Sequence, residues 1–338
     1  MNFDFSEEQT MLSDMVRRFV EDRYDVERRR SFRKEAAGFS AANWDALCEL
    51  GLLGLSLPSD QGGAGLDWPD LMIVAIEIGR GQVVEPILSA WLTIDLLGRS
   101  PGAEGLDTVV AGRSRLAYAT GEFAVGADGL LSGRADFVLD GDGVDGFLIE
   151  SGNAIHRAAA DAAGLEVTSY RIADGSIAVA IDCRQVRTEP LDLTPHKIDD
   201  CLQRARFATA AEALGVMDRM FADTLAYVKT RQQFGRAIGT FQTIQHRMAR
   251  LYTELEQCRS LLYKAALVVS AERARAIFAA QACIDQAAMH LAHECVQFHG
   301  GIGITEELGV AQGHKRLMVL SRLFGTAADA RQRFMEAY

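Results

Sequence analysis

The sequence has little positive charge. Its 35 Lys and Arg stand against 46 Asp and Glu, a net −11 over 338 residues. A chain of that sign repels phosphate backbones and anionic lipid surfaces. This argues against a general nucleic-acid or membrane-surface binder but leaves room for an anionic small molecule in a local basic pocket. No apolar run approaches the roughly 18 residues that a bilayer crossing needs, so no membrane span is expected. Paired cysteine spacings are also missing. The six cysteines (Cys48, Cys183, Cys201, Cys258, Cys283 and Cys295) are scattered, which reads as buried thiols in a reducing, cytoplasmic compartment. The N-terminal MNFDFSEEQ is polar and acidic, unlike a signal peptide.

What is present divides by composition into three zones, as expected for a chain long enough for two or three domains. Residues 1–112 read as a helical domain. Ser6 before Glu7 and Glu8 resembles an N-cap with an acidic first turn, and Met11, Met15, Phe19 and Val20 are placed on one face. The segment LPSDQGGAGLDW (Leu57–Trp68) reads as a loop, and the apolar run from Leu71 to Ile78 starts another helix. Residues 113–194 carry short alternating segments (RLAYAT, DFVL, DGFLIES, IAVAID) separated by Asp-Gly turns, a small antiparallel β-domain. In residues 195–338 apolar positions step by three and four: Phe207, Ala210, Leu214, Met217, Phe221, Leu225, Val228, and then Met248, Leu251, Leu255, Cys258, Leu262. That spacing predicts a long antiparallel helix pair. With Arg275–Val296 and the C-terminal segment it predicts a four-helix bundle.

Two stretches are odd for plain connections. TRQQFGRAIGTFQTIQ joins the long helices. Arg231 could clamp a pyrophosphate with its fork of donors, Phe234 could stack on a flat ring, and Gln242, read as capping the next helix, offers an amide. A helix hairpin with a solvated arginine accounts for the same residues equally well. VQFHGGIGITEE ends a helix at Gln297 and sets Gly300, Gly301 and Gly303 close together. These glycines suit a C-cap, or a backbone that a ligand phosphate approaches closely. No strand precedes them, so this is no Rossmann fingerprint. His290, His293, Cys295 and His299 cluster, but 295 points away from the face of 290 and 293 and no carboxylate completes a ligand spacing. No metal site is expected.

These motifs stand in one order with ELGLLGLSLPSDQGGAGL near the N-terminus, LSGRADFVLDGDGVDGFLI in the middle and FGT near the end. In that order the chain resembles the acyl-CoA dehydrogenase family over nearly its whole length. The resemblance implies a mainly α fold: an N-terminal helical domain, a β-domain and a C-terminal four-helix bundle. It implies FAD as cofactor, an acyl-CoA thioester as substrate in β-oxidation-type lipid metabolism, and an electron-transfer flavoprotein as electron acceptor. Residue by residue, it implies FAD contacts for Arg231, Phe234, Gln242, Gln297, Gly300, Gly301 and Thr326. Some of these reach across a subunit interface, so an oligomer follows.

The chain departs from the family in three places. Short- and medium-chain members carry a glutamate base directly before Gly-Thr. Here that residue is Phe324, and Ala327-Ala328 follows Gly325-Thr326. Other members place the base on the helix after the Gln-rich segment, where Glu272 is nearest here, with Glu254 and Glu256 read as earlier on the same helix. The β-domain is also shortened where the family cradles the flavin, leaving Thr120 and Glu122 as remnants. These departures resemble the shorter partner subunit of bacterial heteromeric acyl-CoA dehydrogenases, a heterotetramer whose other subunit brings the base. A self-sufficient homo-oligomer using Glu272, or a non-catalytic assembly protein, are the other readings the sequence leaves open.

Overall fold

The computed structural model describes residues 5–337, so Met1–Asp4 of the stretch read for a signal peptide lie outside it. Two units emerge, one built from residues 5–30, 68–83 and 206–337 and the other from residues 31–67 and 84–205. Among the described residues no helix is long and apolar enough to cross a membrane.

The first unit is helical. It begins with α1 (Glu7–Arg23) and most of α2 (Val26–Phe32). Ser6 caps α1 as expected, and reciprocally: its Oγ accepts from Gln9 N at 3.1 Å while Ser6 N donates to Gln9 Oε1 at 3.2 Å. The buried face of α1 is Ser13, Val16, Phe19 and Val20. Met11, placed on that face from its spacing, is 71% exposed. Ser13 takes the inward place because it has a buried partner, donating to Glu77 Oε1 at 3.2 Å. After α3 (Ala41–Glu49), which belongs to the other unit, comes α4 (Trp68–Gly81). A β-carbon on Gly79 would lie 2.1 Å from the carbonyl oxygen of Glu212, and one on Gly215 2.0 Å from that of Ile76. Glycine lets α4 meet the long α7 backbone to backbone there.

The second unit carries α3, α5 (Ile87–Arg99), α6 (Leu106–Val110) and the strands β1 (Leu116–Ala119), β2 (Glu122–Val125), β3 (Leu130–Leu139), β4 (Gly146–Ser151), β5 (Ala154–Ala159), β6 (Leu165–Arg171), β7 (Ile177–Arg187) and β8 (Glu189–Pro190). They form two four-stranded sheets, ordered β1-β4-β5-β8 and β2-β3-β7-β6. Ala117, Leu131, Phe147, Ile149, Val179 and Ile181, drawn from both sheets, share one apolar core. The antiparallel expectation holds for every pair of these sheets except β1 with β4, which runs parallel. The chain leaves the first sheet after β1, makes the β2–β3 hairpin in the second, and returns, so β4 enters beside β1 in the same direction.

The remaining helices are α7 (Pro195–Thr230), α8 (Gln242–Leu267), α9 (Ser270–His299), α10 (Gly309–Leu320) and α11 (Ala327–Glu336). Between α7 and α8 lies a minimal ladder of β9 (Gln232–Gln233) and β10 (Arg236–Ala237). α9 packs against α8, α10 and α11. The C-terminal segment, read as one helix of the bundle, is two helices separated by a turn at residues 321–326. The long stripes are core near their middles: Phe207, Leu214, Met217, Leu251, Leu255 and Leu262 are buried. Phe221 and Leu225, toward the far end of α7, are half-buried.

Candidate cofactor site

Three elements of the helical unit meet at one end of α7, α8 and α9. The last turns of α7 bring Tyr227 against His299, with rings stacked at 4.2 Å and the Tyr227 hydroxyl donating to the His299 carbonyl at 3.5 Å. The first turns of α8 bring Arg247 against α9, where it donates to both Glu294 oxygens at 2.6 and 2.8 Å and lies 4.6 Å over the Phe298 ring. The hydrogen bond to Arg247 holds the Glu294 carboxyl below its usual range, and the same bond raises Arg247. This charged clamp holds the first turns of α8 against the last turns of α9. Arg231 and Gln242 therefore share an end of the bundle with Gln297, Gly300 and Gly301.

The connection is a two-residue hairpin with Phe234 (φ +54) and Gly235 (φ +79) at its tip. Both positive φ values fit the primed turn that matches strand twist. A phenylalanine at such a position costs about 1–2 kcal/mol of backbone strain, and this one is 92% exposed. The fold gains no burial from the ring. Nearby, Arg236 stacks on Phe241 at 4.1 Å, and Gln245 Nε2 donates to the Gly239 carbonyl at 3.0 Å. Arg231 is exposed. Gln242, expected as a cap, is the exposed first residue of α8. The N-cap position is Phe241, with no side-chain cap bond.

The glycines after α9 divide by cause. Gly303 is needed by packing, since a β-carbon there would sit 2.6 Å from the Val296 carbonyl oxygen. Gly300 is needed by its φ of +66 as the residue closing α9. Gly301 has neither reason. Its φ is not positive, and a β-carbon on it would meet nothing within 4 Å. Gly301 therefore turns bare backbone to open space, at the same end of the bundle as exposed Arg231.

The other expected site residues lie elsewhere. Thr326 is the N-cap of α11. Its hydroxyl donates to Asp329 Oδ2 at 2.7 Å and accepts from Asp329 N at 3.3 Å, so it is committed to a capping box. Phe324, half-buried at φ +58, begins the turn that Thr326 closes. Glu272 is exposed in the first turn of α9 and not on α8. It is separated along the helix from Gln297 by about 37 Å at ~1.5 Å per residue. Glu254 and Glu256, read as sharing its helix, are on α8; Glu254 pairs with Arg250 and hydrogen-bonds His290, and Glu256 pairs with Arg259. The histidine cluster disperses. His290 bonds Glu254 at 2.7 Å, the His293 ring lies 5.2 Å from that of His314, the Cys295 thiol donates to the Met220 carbonyl, and His299 stacks on Tyr227.

Sequence reasoning did not single out Asp285, a titratable group in this unit. Asp285 on α9 is buried, and its Oδ2 has no hydrogen-bond partner. Burial pushes its carboxyl up to about 8 against the opposing hydrogen bond from Gln281 and the charge of Arg322, so it keeps its proton at neutral pH. The apolar neighbours Ala282, Ile284, Ala287 and Ala288 were the available signal.

The helical unit and the two-sheet β-unit have the fold of the acyl-CoA dehydrogenases. Residues 6–97 match the acyl-CoA dehydrogenase N-terminal domain and residues 197–337 the C-terminal domain. The chain is 30% identical to the acyl-CoA dehydrogenase IpdE2 of Mycobacterium tuberculosis, over 95% of its own length and 92% of that protein's. Among solved structures it is similar to the Tcur3481–Tcur3483 steroid acyl-CoA dehydrogenase (TM-score 0.89, 28% identity, 98% and 97% of the two chains). It also shares the fold of the ChsE4–ChsE5 complex of M. tuberculosis (TM-score 0.90, 24% identity, 99% and 98%). The chain belongs to the acyl-CoA dehydrogenase family of FAD-dependent oxidoreductases.

Proposed function

We propose that this chain is the partner subunit of a heteromeric acyl-CoA dehydrogenase. It completes an FAD site shared with a longer subunit, and that subunit brings the proton acceptor. The observation that carries this reading is a contrast within the chain. The dinucleotide-facing end keeps Arg231, the strained and exposed Phe234, and a Gly301 that the fold itself does not require, while the position before Gly325-Thr326 holds Phe324. Likeness to a steroid acyl-CoA dehydrogenase named for two components supports the same division and favours a bulky acyl group.

When bound, FAD supplies the hydride acceptor for α,β-oxidation of an acyl-CoA thioester. This chain's residues bind and orient. Arg231 presents its fork to the pyrophosphate, and Phe234 packs on the adenine side. Gln242 and Gln297 offer amide donors and acceptors, and Gly300-Gly301 admits the adenosine end without a side chain in the way. Thr326 holds the Gly325 turn as the cap of α11. Phe324 neither takes nor gives a proton, so the α-proton goes to a group outside this chain. The assembled enzyme works in the cytoplasm and passes its electrons to an electron-transfer flavoprotein.

Arg231→Ala in the co-expressed enzyme tests the FAD assignment. Loss of a charge-assisted bond, about 1.5–3 kcal/mol, corresponds to roughly 10–100-fold weaker retention. The readout is flavin absorbance remaining after gel filtration at falling FAD concentrations. Unchanged retention would remove Arg231, and the hairpin with it, from the cofactor site.

A further inference from the structure

Cys258 on α8 and Cys283 on α9 bring their sulfurs to 3.6 Å. Nothing in FAD binding or acyl-CoA oxidation calls for this contact. It sits on a tightly registered helix pair. Arg247 bonds Glu294, Glu254 bonds His290, and Cys258 meets Cys283, each rung further along α8 and further back along α9. The other four cysteines lack such a partner, and burial pushes each of their thiols up: Cys48 and Cys183 to about 11, Cys201 and Cys295 to about 12. In Cys283 the hydrogen bond shared with the Cys258 thiol pulls the other way, against burial and the Glu254 charge. Access is equally uneven, with Cys258 fully buried and Cys283 half-buried. The pair therefore has one residue partly open to solvent and the other shut in beside it.

We propose that Cys258 and Cys283 form a redox-active dithiol, a modification site at which small-molecule disulfides produce a disulfide cross-link between α8 and α9. The Cys283 thiolate attacks one sulfur of the external disulfide, a protein–small-molecule bond forms, and one small thiolate leaves. Cys258 then gives up its proton and attacks the Cys283 sulfur, which expels the second small thiolate. The protein loses two electrons and two protons, and the external disulfide is reduced to two thiols. Closing the contact needs an approach of about 1.5 Å, since a disulfide bond is ~2.05 Å long. The product ties together the two helices whose ends carry Gln242 and Gln297.

The test uses the full folded chain and glutathione disulfide. After treatment, free thiols are blocked with an alkylating agent under denaturing conditions and the intact mass and peptide map are read. The expected result is loss of two of the six thiols, no retained glutathione, and a peptide linking Cys258 to Cys283. Cys258→Ser should keep one glutathione on Cys283, because the resolving thiol is gone, and Cys283→Ser should leave Cys258 free. Six alkylated cysteines after treatment, a glutathione retained on the wild-type pair, or a link that forms only after unfolding would each overturn the proposal. If a serine variant does not fold, the wild-type map alone decides.

Discussion

Glu212→Ala is expected to lower the unfolding free energy by about 3–5 kcal/mol, the usual cost of removing one partner from a buried ion pair. Glu212 sits in the middle of α7 and accepts from Arg316 Nε of α10 at 2.7 Å, with side chains 2% and 9% exposed. The surroundings cannot relax easily. The Glu212 backbone is the surface against which Gly79 packs, so its place lies where α4 and α7 meet closely. The double replacement Glu212→Leu with Arg316→Met should recover most of the loss, because it removes both charges and keeps much of the volume. Urea midpoints of the two variants check this. A Glu212→Ala protein as stable as the parent would show that α10 is not held on α7 by this pair. α10 begins at Gly309, and its Gln312 side chain donates to the Glu306 carbonyl in the segment that leads from the Gly300–Gly301 turn, so loosening α10 should also loosen that segment.

The second large effect is kinetic. With FAD added, the isolated chain is expected to oxidise acyl-CoA roughly 10²–10⁴-fold more slowly than the two-subunit enzyme, the usual worth of a positioned general base. In the assembled enzyme, Phe324→Ala should leave kcat within a factor of a few, since the replaced ring moves no proton. Glu272→Gln should do the same, because the carboxylate is exposed in the first turn of α9, remote along that helix from Gln297. A kcat loss of the general-base size in Glu272→Gln would instead make this chain a self-sufficient dehydrogenase.

Much of this architecture was legible in the sequence, and the parts that were not have identifiable causes. The long helices were visible because Leu214, Met217, Leu251 and Leu262 repeat at helical spacing and are in fact core. α1 buries the expected Phe19 and Val20 but not Met11, whose place is taken by Ser13 through its buried hydrogen bond to Glu77. Strands β2 and β6 gave no alternation to read because nearly every side chain on them is exposed, and backbone pairing with β3 and β7 places them. The parallel β1–β4 pair depends on where the chain returns, which no local pattern encodes. At the site, residue types pointed to Arg231, Phe234 and the double glycine. The Arg247–Glu294 clamp between α8 and α9, and the Cys258–Cys283 contact, join residues on different helices and have no local spacing rule.

The visible absorption spectrum of the chain purified alone, beside that of the chain co-expressed with a longer, glutamate-bearing acyl-CoA dehydrogenase subunit, tests the shared-site account most directly. The account predicts little or no flavin band from the isolated chain and a stoichiometric band from the assembly. A full flavin band in the isolated chain, together with acyl-CoA-dependent bleaching of that band, would contradict it.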